Sequence, residues 1–216
     1  MKITSVEPQK KNRKRFNIFL DGTFAFGADE DLVVDHRLVI GKEINPPDLE
    51  KILKETEVGK LMERMYGLFN IRARSEKEIK DYFRMLSFKR KVKGDEEISN
   101  MVVDNIIEKL IKKSMVDDLI FARSWMEARS KKYGINRIKQ ELYKKGINRE
   151  IIDQLFGEEG LENVEGVAQK LLDKKIERWK NLKPMEFKKK AYDFLLRRGF
   201  EYELVKGIVE KELKKR

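Results

Sequence analysis

The chain has 216 residues, of which 40% are charged and 40% are hydrophobic, and its formal net charge at pH 7 is +11. This apolar content is too high for a disordered chain, and no apolar run approaches the roughly 18 to 20 residues that a membrane span needs. The first residues lack the apolar core of a secretory signal. The absence of cysteine excludes disulfides and thiolate metal sites, so we expect a cytoplasmic protein.

The positive charge is concentrated in the C-terminal two-thirds of the chain. Residues 1–69 contain equal numbers of basic and acidic side chains, so the whole excess lies beyond them. This asymmetry favours a polyanionic partner, either nucleic acid or a protein assembled on nucleic acid. A solvated surface that serves only solubility is the alternative interpretation.

The N-terminal segment has the alternating pattern of β-strands. RFNIFL is followed by Asp21-Gly22, a hairpin-turn signal, and then by TFAFGA, which predicts two or three antiparallel strands. A helical or extended segment near residues 30–34 and a short helix over residues 48–56 should follow. A hairpin of this size is marginal alone and should pack on something else. We assign residues 1–58 to a β-rich extension, in which the basic run 10–15 could make an accessory contact.

From Gly59 onward the apolar period changes to 3.6, which predicts helices. Nine are expected, in three groups over residues 59–115, 116–158 and 159–216. Ser75 with Glu78 has the spacing of a capping box, and Gly134 should interrupt the second group. The first group carries a basic connector, residues 88–97, in place of a glycine-marked turn, and residues 157–160 are expected to be a linker.

Two segments repeat the same pattern 53 positions apart. KKGINREIIDQLF begins at Lys144 and RRGFEYELVKGIV begins at Arg197, so the shift pairs Gly146 with Gly199 and Ile147 with Phe200. Glycine suits a left-handed residue after a helix. The repetition predicts a mainly α-helical protein of three tandem three-helix repeats, stacked as an elongated curved array, with a small β-hairpin extension.

No constellation of residues indicates catalysis. Asp117 and Asp118 are adjacent on a helix and point about 100° apart, so they suit an N-cap and a first turn rather than one ligand. His36 is the only histidine, which leaves a transition metal few ligands. Trp125 and Trp179 are expected as core anchors, with stacking on unpaired bases as the alternative. We therefore expect a protein that is not an enzyme and has no cofactor.

Two basic clusters are the candidate contact surface. Arg137 and Lys144 lie seven residues apart, as do Lys190 and Arg197, and the 53-residue shift pairs the first two with the second two. Residues seven apart share a helix face, so the repeats should build a basic stripe. The full set of candidate contacts is Arg129, Lys131, Lys132, Arg137, Lys139, Lys144, Lys145, Arg149, Lys188, Lys189, Lys190, Arg197 and Arg198.

Three segments in this order resemble the RecX regulatory proteins of bacteria: IRARSEKEIKDYF, SMVDDLIFARSWMEARSKKYGINRIKQELYKKGI and FLLRRGFEYELVKGIV. The resemblance covers about residues 59–216, and the N-terminal segment is similar to an extension carried by a subset of the family. The positions that carry it include Arg74, Ser75, Glu78, Asp117, Asp118, Phe121, Ala122, Gly134, Gly146, Gly199 and Phe200.

The resemblance implies three tandem three-helix repeats and a regulatory role. The partner it implies is the RecA recombinase as a filament on DNA, whose ATPase, strand-exchange and co-protease activities would be restrained. Nucleic acid could be contacted directly or through the filament, and we expect a monomer without membrane attachment. The stretched connector at residues 88–97 and the pair Leu119-Ile120 depart from the family pattern. The alternative is a free-standing DNA-binding protein of tandem helix-turn-helix units without sequence specificity.

Overall fold

The computed structural model describes residues 1–10, 12–158 and 163–215. Within them the chain is mainly helical, with ten helices and one small antiparallel sheet, as the sequence predicts. It divides into two compact units, residues 1–72 with 99–109 and residues 73–98 with 110–216. In the described part of the chain, no helix combines the length and the apolar character that a bilayer crossing requires.

The first unit begins with a three-stranded sheet in the order β1-β2-β3. The strands are β1 (Ile3–Pro8), β2 (Arg15–Leu20) and β3 (Thr23–Asp29). Asp21 and Gly22 have φ angles of 47° and 83°, the left-handed values of the turns that suit a two-residue hairpin. The predicted hairpin is therefore confirmed. Helix α1 (Glu30–Asp35) follows directly, capped by the Asp29 side chain.

Helix α2 (Pro46–Phe69) is continuous, so the separate short helix expected over residues 48–56 is wrong. Its buried residues Ile52, Leu61 and Met65 lie on both sides of Gly59, and their burial outweighs the roughly 1 kcal/mol that a helical glycine costs. A Cβ at Gly59 would lie 2.9 Å from Asp29 Oδ2, so the Asp29 carboxylate would have to shift to admit a larger residue. The boundary predicted between residues 58 and 59 falls inside this helix.

The sheet packs on α1 and α2, as a marginal hairpin requires. The buried side chains of this core are Ile3, Ile18, Leu20, Phe26, Ala28, Leu32, Leu38, Ile44 and Ile52. Arg15 is buried and joins strand to helix, because its guanidinium lies 2.8 Å from Glu63 Oε2 and donates to the Gly27 carbonyl. His36 Nε2 lies 2.6 Å from Glu55 Oε2.

In its described residues, the second unit contains helices joined by turns and no strand. Its helices are α3 (Glu76–Val92), α5 (Asp118–Ser130), α6 (Ile135–Lys144), α7 (Arg149–Glu158), α8 (Val164–Trp179), α9 (Pro184–Leu196) and α10 (Tyr202–Leu213). Helix α4 (Asn100–Lys112) crosses the division between the units after Lys109. Helices α2 and α3 thus belong to different units, and the division of residues 59–216 into three repeats stays a prediction.

Helices α5–α7 and α8–α10 form two trios, each with its own core. The first core contains Phe121, Ala122, Met126, Ile138, Leu142, Ile147, Ile152 and Leu155. The second contains Ala168, Leu172, Phe187, Ala191, Phe194, Leu195, Phe200, Val205, Ile208 and Val209. The pairs Leu142/Leu195 and Ile147/Phe200 are buried in both, which confirms the 53-residue correspondence. Gly146 and Gly199 have φ angles of 80° and 81°, the left-handed conformation predicted for them.

Two local expectations need correction. Helix α3 continues to Val92, so the first half of the predicted connector at residues 88–97 is helical. Gly157 and Glu158 lie in α7. Residues 159 and 160 of the predicted linker, the boundary at residue 159 and Lys11 of the basic N-terminal run lie outside the described residues. Gly134, by contrast, lies between α5 and α6 as predicted, and it is the N-cap of α6.

Candidate partner-binding surface

Helices α9, α6 and α3 are joined end to end by hydrogen bonds. At the first junction, Gly134 N donates to the Arg198 carbonyl (2.9 Å) and Asn136 N to the Gly199 carbonyl (3.2 Å). At the second, Ser75 Oγ donates to the Lys145 carbonyl (2.7 Å). Groups that a helix leaves unpaired at its ends are thereby satisfied by the neighbouring helix. We call α9, α6 and α3 together the helix column.

Glycine permits both junctions to close. A Cβ on Gly199 would lie 2.3 Å from Arg137 N, and a Cβ on Gly146 would lie 2.5 Å from Lys77 Cβ. Such distances are well inside van der Waals contact, so no other residue fits without displacement. Arg137 and Lys77 therefore occupy equivalent places, each against the glycine that ends the preceding helix.

Basic residues at intervals of seven follow the helix column, and we call these eight the basic seam. They are Lys183, Lys190 and Arg197 at α9, Arg137 and Lys144 on α6, and Lys77, Arg84 and Lys91 on α3, and all are exposed. Seven residues are close to two helical turns, so the members on each helix share a face. At the second junction Lys77 Nζ donates to the Lys144 carbonyl (3.0 Å), which continues the seam from α6 to α3.

Two arginines of the α5–α7 trio, Arg129 and Arg137, share one carboxylate, that of Glu141. Its carboxylate accepts hydrogen bonds from Arg129 Nε (2.8 Å) and Nη2 (2.6 Å), from Trp125 Nε1 (3.1 Å) and from Arg137 Nε (3.1 Å). Burial by itself raises the pKa of Glu141, but the hydrogen bonds from Arg129, Arg137 and Trp125 outweigh burial and lower it. Arg129 also stacks over Tyr133, 4.4 Å from the ring centroid. Arg129 is thus tied into the fold rather than presented to a partner.

Lys145 and Arg149 also have acidic neighbours. Lys145 Nζ lies 2.6 Å from Glu78 Oε1 and 4.1 Å from the centroid of the Trp125 ring. Its side chain is only 17% exposed, so it joins α3 to the α5–α7 trio. Arg149 pairs with Asp153 at 3.3 Å on the surface of α7.

The neighbours Lys144 and Lys145 provide a test of this distinction. Lys145→Ala removes the half-buried ion pair and the contact with Trp125, so we expect it to lower the free energy of unfolding by about 1 to 2 kcal/mol. Lys144→Ala removes an exposed side chain and should change it by less than about 0.5 kcal/mol. Urea denaturation of the two variants measures both values. Equal losses would show that Lys145 is not structurally engaged.

The α8–α10 trio lacks the neutralising carboxylate. The 53-residue shift places Phe194 where the other trio has Glu141, and Lys190 where it has Arg137. The Arg198 guanidinium lies 3.9 Å over the Phe194 ring, so an aromatic face takes the place of an ion pair. Nine predicted contacts form no ion pair with any described residue: Lys131, Lys132, Lys139, Lys144, Lys188, Lys189, Lys190, Arg197 and Arg198.

The acidic pair and the two tryptophans have the structural roles predicted for them. Asp117 Oδ1 accepts from Leu119 N and Ile120 N and so caps α5. Asp118 accepts from Glu76 N (3.0 Å), and burial raises its pKa. Trp125 stacks on Phe121, and Trp179 meets Phe187 and Phe194 edge to face. Across the described ranges, no group of three or more histidine or acidic residues is placed to hold a metal ion.

Family models match three parts of the chain: the regulatory protein RecX N-terminal domain at residues 1–45, the second RecX three-helix domain at 117–155 and the third at 165–209. Regulatory protein RecX of Listeria monocytogenes is 32% identical over 213 residues, which are 96% of this chain and 74% of the relative. That of Clostridium beijerinckii is 30% identical over 212 residues, 97% of this chain and 95% of the relative. This chain belongs to the RecX family.

Solved RecX structures share the fold. A crystal structure of regulatory protein RecX covers the whole of both chains with a TM-score of 0.71 at 24% identity. RecX from Lactobacillus salivarius covers 74% of this chain and 97% of its own with a TM-score of 0.59 at 23% identity. The α5–α7 and α8–α10 trios correspond to the second and third RecX three-helix domains.

Half of the basic seam of this RecX protein was missed by sequence reasoning. Arg137, Lys144, Lys190 and Arg197 were identified from the repeat, but Lys77, Arg84, Lys91 and Lys183 were not. The signal was present, because all of them keep the seven-residue spacing. Lys91 falls within the predicted connector at residues 88–97, and Lys77, Arg84 and Lys183 lie outside the two basic clusters identified from the sequence.

Proposed function

We propose that this chain binds a filament of the RecA recombinase on DNA through the basic seam and restrains its ATPase, strand-exchange and co-protease activities. The observation that carries the proposal is a row of exposed basic residues along three joined helices of a RecX-family protein. Its least compensated part lies on α9, where Lys190 and Arg197 have no ion pair with a described residue.

The extent of the seam supports contact with more than one subunit of a polymer. The three helices of the column have 13, 10 and 17 residues, or about 60 Å of helix in total. A small domain is about 30 Å across. Repeated positive charges at intervals of two turns suit a partner whose negative charges also recur, as on a filament surface or a DNA backbone.

Inhibition then follows from a difference in affinity between two filament states. A ligand shifts an equilibrium only when it binds one state more tightly than the other. A regulator that spans neighbouring subunits favours the arrangement in which their acidic or phosphate groups match its spacing. The filament arrangement that hydrolyses ATP is depopulated when it lacks that match.

The test is the ATPase of the recombinase on single-stranded DNA, titrated with this protein at low ratios to the recombinase and with DNA in large excess. Filament binding predicts inhibition that persists under excess DNA. Loss of inhibition under excess DNA would instead support the free-standing DNA-binding function. Direct DNA binding should also weaken steeply with salt, because each phosphate contact releases counterions.

Charge reversal separates the basic seam from general positive charge. We expect the triple variant Lys144→Glu, Lys190→Glu, Arg197→Glu to need about tenfold more protein for half-inhibition, because repulsion replaces attraction at three seam positions. Arg137 is left unchanged because it hydrogen bonds to Glu141.

The matched control reverses the same number of exposed lysines away from the helix column. Lys113→Glu, Lys174→Glu and Lys211→Glu change the net charge equally and lie after α4, on α8 and on α10. This variant should inhibit within about twofold of the unmodified chain. Helicity by circular dichroism verifies that both variants fold. An equal loss of inhibition in both variants would show that the basic seam is not the surface that binds the filament.

A further inference from the structure

Helix α3 carries an exposed apolar stripe on the side opposite its packed face. Met85, Phe88 and Val92 are 62%, 66% and 71% exposed, and their spacing of three and four residues places them in one row. Ile79 and Phe83 are buried and lie on the other side of the helix. Clustered rather than scattered apolar side chains on a surface indicate an interaction site.

The stripe lies in the C-terminal half of α3, which at 17 residues is the longest of the three column helices. The opposite side of this part is held by the returning chain. Ile98 N donates to Ser87 Oγ (3.1 Å) and Asp95 N donates to the Arg90 carbonyl (3.0 Å). The stripe is therefore presented on a helix whose other side is already occupied.

Basic side chains border the stripe on both sides. Residues 84–93 contain five basic and no acidic side chains. Lys89 and Lys93 lie on one border, and Arg84 and Lys91 lie on the other. Arg84 pairs with Asp81 (3.0 Å) and Lys91 with Glu97 (2.8 Å), but these side chains are 78% and 65% exposed. Such surface ion pairs are weak and leave the borders available to another carboxylate.

We propose that Met85, Phe88 and Val92 form a docking site for an acidic amphipathic segment of another protein. Apolar side chains of the segment cover the stripe, and its carboxylates meet Arg84, Lys89, Lys91 and Lys93. This combination of a row of apolar anchors with complementary charge is the helix-in-groove mode of peptide recognition. The site does not rest on the proposed function, because its three apolar anchors lie outside the basic seam, although its border shares Arg84 and Lys91 with the seam.

Charge and width argue against two other occupants. A second copy pairing through the same face would bring two basic borders together, which is repulsive. A helix that lies in a membrane surface buries a wide apolar face. Here the apolar row is only three side chains long, and the larger apolar face, with Ile79 and Phe83, is already packed.

The test uses the full chain and a fluorescein-labelled synthetic peptide of about 15 residues, enough for four helical turns. In the peptide, leucines recur at intervals of three and four residues, and the other positions are mainly glutamate. The stripe variant is Met85→Gln, Phe88→Gln, Val92→Gln, since glutamine keeps helix propensity. The control variant is Met101→Gln, Ile120→Gln, Met185→Gln, which removes three exposed apolar side chains elsewhere.

Fluorescence anisotropy should show binding that is at least about tenfold weaker for the stripe variant and nearly unchanged for the control. Equal binding by all three proteins, or no binding to the unmodified chain, overturns the proposal. Stripe-dependent binding to vesicles of phosphatidylserine and phosphatidylcholine without peptide binding assigns the stripe to a lipid surface instead. Stripe-dependent dimerisation in sedimentation assigns it to a second copy. Neither result alters the ATPase test of the proposed function.

Discussion

Glu141→Ala is expected to lower the free energy of unfolding by about 2 to 4 kcal/mol, measured by urea denaturation. The carboxylate is only 12% exposed and serves three donor residues, Arg129, Trp125 and Arg137. Its removal leaves the Arg129 guanidinium and the Trp125 indole nitrogen without their acceptor. The loss is therefore that of unpaired polar groups and not of one surface ion pair.

The same substitution has a defined dependence on pH. The folded protein lowers the pKa of Glu141 below its ordinary value of 4.5. A group with a depressed folded pKa stabilises the fold above its unfolded pKa, and this contribution is lost as the pH falls through the folded value. The difference in unfolding free energy between the unmodified chain and Glu141→Ala should thus be full at neutral pH and shrink below pH 4.5.

Glu127→Ala is the matched control, because Glu127 is an exposed acidic residue on α5. It should change the free energy of unfolding by less than about 0.5 kcal/mol. If Glu141→Ala costs no more than this control, or if its effect does not vary with acid, Glu141 does not bind Arg129 in solution.

Gly199→Ala is expected to lower the free energy of unfolding by about 3 kcal/mol or more. We expect this to be the largest loss that a single added methyl group causes in the second unit. Two effects add. The φ angle of 81° lies in the left-handed region, which costs a residue with a Cβ about 1 to 2 kcal/mol. The new Cβ would also lie 2.3 Å from Arg137 N, so the junction between α9 and α6 must open. Chemical denaturation gives the magnitude.

Gly94→Ala separates these two effects. Gly94 has nearly the same φ angle, 78°, but no atom lies within 4 Å of its added Cβ. We expect this control to lower the free energy of unfolding by only about 1 to 2 kcal/mol, which is the cost of placing a residue with a Cβ in the left-handed region. The excess loss of Gly199→Ala over Gly94→Ala therefore reports the closed junction, and an excess of zero would mean that α9 and α6 do not meet as described.

Local and periodic signals were read correctly from the sequence. The 53-residue shift identified equivalent core positions in the two trios, and the left-handed glycines 146 and 199 follow from their place after a basic helix end. The caps at Ser75 and Asp117 obey short-range rules for unpaired amides. Each of these features depends on residues a few positions apart, which a sequence displays directly.

Long-range pairings left no such signal. Glu141 was visible as a charged residue, but its bonds to Trp125 and Arg129 bridge 16 and 12 positions. Charge alone therefore presented Arg129 as a surface contact. A short helix over residues 48–56 and a boundary at Gly59 were predicted, but the burial of residues on both sides of Gly59 outweighs the local cost of a helical glycine and keeps α2 continuous. The junctions join residues more than 60 positions apart, as in Gly134 with Arg198.

The bonds that join α6 to α9 run between main-chain atoms. They demand little of neighbouring side-chain identities beyond the smallness of glycine. Substitutions can accordingly change the side chains that each trio displays, as between the carboxylate of Glu141 and the ring of Phe194, without removing the main-chain hydrogen bonds that join the trios. Evolution of such a molecule can tune its specificity one module at a time.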